Sequence, residues 1–118
     1  MAGTVDWIAA KYAAQGDECP LESALREYRE LEKAESGKLL SEETIRDYYR
    51  KGVRDHARAD AEFAREINHE ARRLEEEGAS NAVDAALAAS ARGNPEYAYV
   101  DRVRFERGLR RLQEAEKK

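Results

Sequence analysis

A single cysteine, two prolines and seven glycines are all that 118 residues carry of the side chains that staple or interrupt a chain. Cys19 alone makes no intrachain disulfide, so the fold must rest on packing, and a reducing compartment suits it. The N-terminus lacks a basic-then-apolar signal pattern, and no apolar run approaches membrane-spanning length. A cytoplasmic address is therefore expected, with no membrane partner. Catalytic signatures are equally scarce. There is no Gly-rich phosphate loop, no nucleophile beside a base, and only two histidines, His56 and His69, which fall on different faces. Cys19 precedes a helix start, where a thiol pKa can fall, but no base stands near it in sequence. No enzymatic activity and no cofactor is expected.

What is present is charge and alanine. Charged residues make up 39% of the chain and apolar ones 42%, against about one quarter charged in ordinary domains. Abundant Ala, Glu, Arg and Leu suit helices with long solvated faces. Trp7, Phe63, Phe105 and six tyrosines, interleaved at helical spacing, exclude a disordered chain. The length fits a single helical domain over residues 1–118. The net charge of −4 hides an asymmetry. Residues 1–37 carry four basic and eight acidic side chains, residues 38–78 nine and eleven, and residues 79–118 eight and six. An acidic front and a basic rear can pair within one molecule or head to tail between copies.

The pattern predicts an all-α fold, a partly elongated bundle of about five helices over residues 5–15, 20–36, 42–77, 81–92 and 95–114. Thr4 is the expected cap of the first helix and Gly16 its end. Pro20 suits the first turn of the second, in which Leu21, Ala24, Leu25, Tyr28 and Leu31 recur at three and four. Leu39 and Leu40 precede Ser41, the next cap. Gly78 closes the third helix, Gly93 the fourth, and Asn94-Pro95 opens the fifth. The third helix is the informative one. At 1.5 Å per residue it would span roughly 54 Å, whereas a compact domain of this size is only about 35 Å across. Such a helix must bend, with Gly52 the expected place, or support an elongated or self-associating particle.

Along that helix Ile45, Tyr49, Val53, Phe63, Ile67, Ala71 and Leu74 share one stripe, and His56 and Asp60 fall in the middle of it. A buried polar pair is expected there, four residues apart and satisfied by a neighbouring Tyr or Arg. The sharper alternative is a divalent metal site, which needs ligands from elsewhere. Glu66 and His69 have the Glu-x-x-His spacing of di-iron bundles, but no second pair exists and His69 falls on the solvated face. Residues 40–52 have the outline of a DNA-reading helix, yet Glu42, Glu43 and Asp47 would face phosphates. No metal site is therefore expected.

The last helix offers the candidate binding surface. Arg102, Arg104, Arg107, Arg110 and Arg111 crowd one stretch beside Tyr97 and Tyr99, residues that can anchor a protein interface, stack bases or pair with internal acids. The function expected from these features is that of a small interaction protein, a subunit, adaptor or inhibitor that acts by binding another macromolecule, with a protein the expected partner, and that self-associates. The alternatives are a nucleic-acid accessory protein using the C-terminal arginines and tyrosines, and, more remotely, a metal-binding bundle.

Overall fold

The computed structural model describes residues 2–116, and these form six α-helices and no strand. They are α1 (Ala2–Ala14), α2 (Pro20–Ser36), α3 (Glu42–Asp55), α4 (Ala57–Glu76), α5 (Ala82–Ala91) and α6 (Pro95–Glu116). The all-α expectation holds, with one correction to its centre. The helix expected over residues 42–77 is two helices, of 14 and 20 residues, parted at His56. Gly52, the expected bend, lies within α3.

The break has a physical cause in the sequence. Between Val53 and Ala61 no apolar group exceeds the methyls of Ala57 and Ala59, so no large side chain anchors the junction of α3 and α4 in a core. Local propensity then decides, and Asp55 and His56 are weak helix formers. His56 adopts φ −96°, ψ 4°, in the bridge region where a helical turn ends. Its carbonyl accepts the Asp60 N–H at 2.9 Å and so starts α4.

By its contacts the chain divides at this point into residues 1–55 and 56–118, each a set of three mutually packed helices. In the N-terminal unit, Val5, Ile8, Ala9 and Ala10 of α1 are buried, as are Ala24 and Leu25 of α2 and Ile45 and Tyr49 of α3. Asp6 is buried with them at 5% exposure, and its Oδ1 accepts the Tyr49 hydroxyl at 2.8 Å. Thr4 is not a cap, since α1 already includes it. The start of α2 is held by Asp17, whose carboxylate accepts from the Ser23 hydroxyl at 2.5 Å and from the Cys19 N–H at 2.7 Å. Both bonds hold Asp17 below the usual carboxylate range, the Ser23 bond more strongly. Gly37 ends α2 at φ 76°, a left-handed conformation that favours glycine. Ser41 caps α3 as expected, its hydroxyl accepting the Thr44 N–H at 3.1 Å. Arg46 of α3 grips Glu22 of α2 with two parallel bonds of 2.8 and 2.5 Å.

The C-terminal unit is built on small residues. Ala64, Ile67 and Ala71 of α4 meet Ala82, Ala86 and Leu87 of α5 and Phe105 of α6, with Phe63, Leu74, Leu109 and Leu112 around them. Gly108 is where α6 presses against α4. A Cβ there would collide with the Asp60 carbonyl, lying 2.5 Å from its carbon and 2.9 Å from the Ala64 Cβ. Only glycine permits backbones this close.

Candidate functional site

The close approach at Gly108 positions what lies one turn earlier on α6. Arg104 reaches Asp60, its Nε 3.3 Å from Oδ1, while its guanidinium carbon sits 4.5 Å from the centre of the Phe63 ring. Asp60 is 3% exposed, and its second oxygen is buried without a hydrogen-bond partner among the described residues. The expected pair of His56 and Asp60 is thus corrected. His56 is exposed in the break between α3 and α4, and the carboxylate one turn on is held by Arg104. The break turns His56 out of the stripe that a continuous helix would have given it. A carboxylate this buried tolerates little disturbance, since desolvation costs several kcal/mol per ion and one guanidinium offsets only part of it.

The arginines and tyrosines of α6 are not one surface. Arg104 is spent on Asp60, and Arg102 donates to Asp84 of α5 at 2.7 Å. The acids they meet are therefore in the C-terminal unit itself. Arg107 and Tyr99 are half-buried, whereas Tyr97 is 47% exposed. Arg110 and Arg111 remain exposed near the end of α6.

A second set of cations, on α4, lies across a groove from that end. Arg65, Asn68, His69 and Arg72 form one wall, and Leu112, Ala115 and Glu116 of α6 the other, around a space of about 640 Å³. Arg65 and Arg72 are exposed and enter no ion pair among the described residues. Seven residues apart, they project from one face at a spacing of about 10 Å. Arg73 beside them is fully engaged, bridging Glu70 and Glu77, and its hydrogen bond holds the Glu70 carboxyl below its ordinary range. Glu66 and His69 are both exposed. Among the described residues no group of three or more His, Cys, Asp or Glu side chains stands close enough to hold a metal ion, and no helix is long and apolar enough to cross a membrane.

The sequence pattern marked the α6 arginines but passed over Arg65 and Arg72. Their seven-residue spacing was a usable signal, hidden because α4 carries charges on every exposed face. No protein-family model matches this chain, and no curated protein or solved structure matches it either.

Proposed function

We propose that this chain is a non-catalytic interaction protein, an adaptor, subunit or inhibitor, that binds an acidic segment of a partner protein in the groove between α4 and α6. The observation that carries the reading is the pair of unspent arginines, Arg65 and Arg72, facing Leu112 and Ala115 across that groove. Carboxylates on a partner would meet the two guanidinium groups, and an apolar side chain between them would cover Leu112.

Charge favours a protein over a nucleic acid. The chain carries −4 overall, which opposes a polyphosphate, with one charge on every nucleotide, far more than a peptide segment bearing a few carboxylates. Two of the five arginines that a nucleic-acid reading relies on, Arg102 and Arg104, are already engaged internally.

Selection from a display library of acidic amphipathic peptides tests the reading. Peptides enriched by the wild-type chain should bind about tenfold or more weakly to R65E/R72E and unchanged to R58E. Peptides that ignore R65E/R72E would remove the groove from the account. An arginine-dependent shift of single- or double-stranded DNA or RNA at low salt would move the function to the nucleic-acid alternative. Light scattering settles the self-association expected from the sequence.

A further inference from the structure

A separate cleft lies in the N-terminal unit, between α2 and α3, with a volume of about 330 Å³. That is the lower end of the range for small-molecule sites. Its floor is apolar, made by Leu25 and Ile45, both buried. Its rim is charged in an uneven way. Three arginines, Arg26, Arg29 and Arg46, line it against two acids, Glu22 and Glu42.

The three arginines are engaged to different degrees. Arg46 is consumed by its two bonds to Glu22, which hold that carboxyl below its ordinary range. Arg29 is oriented but not consumed. Its Nε donates to the Leu40 carbonyl at 2.6 Å, fixing the guanidinium plane, while Nη1 lies 4.0 Å from an exposed Glu42, too far for a hydrogen bond. Arg26, one turn before it, enters no ion pair among the described residues. The cleft thus presents one fixed and one unspent guanidinium over an apolar floor, and a single negative charge on a ligand would bring its rim to neutrality.

From this geometry we infer that the α2–α3 cleft binds a monocarboxylate with a compact apolar body, the carboxylate held by Arg26 and Arg29 and the body resting on Leu25 and Ile45. Planar guanidinium groups match a carboxylate with paired bonds, which a neutral amide does not reproduce. A dianion would overcharge the rim toward Glu22 and Glu42. The inference is independent of the α4–α6 groove and uses no residue of it.

Two sources supply such a ligand, a free acid and the C-terminal residue of a protein chain, and one titration separates them. The full chain, labelled with nitrogen-15, is titrated by NMR with 3-phenylpropionate, its neutral amide, acetyl-leucine and acetyl-leucinamide. Saturable shifts confined to cleft amides are expected for the two acids, with Kd of about 1 mM, and none for the two amides. Tighter binding of acetyl-leucine assigns the source to a chain end, and tighter binding of 3-phenylpropionate to a free acid. R26A, an exposed position whose loss leaves packing intact, should weaken binding about tenfold, while R65A leaves it unchanged. Absence of saturable shifts, equal binding of acid and amide, or an unaffected R26A each overturns the proposal.

Discussion

In residues 1–55 the buried carboxylate of Asp6 accepts a neutral hydroxyl from Tyr49, whereas in residues 56–118 that of Asp60 meets the charged guanidinium of Arg104. The two units also fill their interiors differently. The first relies on Val5, Ile8, Leu25, Ile45 and Tyr49, and the second on a field of alanines with Gly108 pressed against α4. Large side chains make a core that is sensitive to deletion. Small ones bring backbones together and make a core that is sensitive to addition. The same chain therefore holds two three-helix sets with opposite vulnerabilities.

Substitutions that separate these vulnerabilities sharpen the contrast, and Trp7 is a convenient reporter because it is the chain's one tryptophan and lies in α1. The largest effect is expected for Ile45→Ala, which empties a site only 1% exposed and costs about 4 kcal/mol. Denaturant unfolding followed by Trp7 fluorescence should show it. Gly108→Ala should cost about 3 kcal/mol by overpacking. It should act on the helical circular dichroism signal while sparing the Trp7 transition. If both variants shift both signals equally, the contrast between the units fails.

Arg104→Ala leaves Asp60 without its cation. A fully buried pair would lose more, but Arg104 is 37% exposed and partly screened, so about 2 kcal/mol is expected. Replacing both partners, as D60L/R104M, should recover most of that loss in the same denaturation experiment, since an apolar pair carries no desolvation cost. Tyr49→Phe, which removes one hydroxyl donor from Asp6, should cost about 1.5 kcal/mol, less than the loss of a charged partner.

The smallest effect concerns acid. Arg46 depresses the Glu22 carboxyl below its unfolded value of 4.5, so this contact stabilises fully above that value and is lost as pH falls through the lower folded one. Glu22→Gln should therefore flatten the acid limb of the Trp7-detected stability profile below pH 4.5 and leave its slope near neutrality unchanged.

Much of this architecture was legible in the sequence, because caps and stops act locally. Ser41 caps α3, Gly37 takes the left-handed conformation that ends α2, and Pro95 opens α6. The stripe from Ile45 to Leu74 was also legible, but its continuity was not. Periodicity carries across residues 54–60 whether or not anything packs there, and only the lack of a sizeable apolar side chain in that span betrays the break. Asp6 escaped notice for a related reason. Its partner Tyr49 is 43 residues away, and no local rule joins them. The candidate site was half visible. Clustering drew attention to the arginines of α6, but whether each is spent depends on Asp60 and Asp84, which tertiary packing brings to it. The groove itself needs α4 beside α6, and Arg65 and Arg72 acquire meaning only from that neighbour.

The division at His56 underlies all of this, since a single helix over residues 42–77 would place His56 and Asp60 on one continuous stripe. Backbone NMR across residues 50–62 tests it most directly. Carbon-13 α shifts should be helical through Arg54, fall toward coil values at Asp55 and His56, and return to helical by Arg58, with a matching gap in amide exchange protection. Unbroken helical shifts and protection from Glu42 to Glu76 would contradict the account.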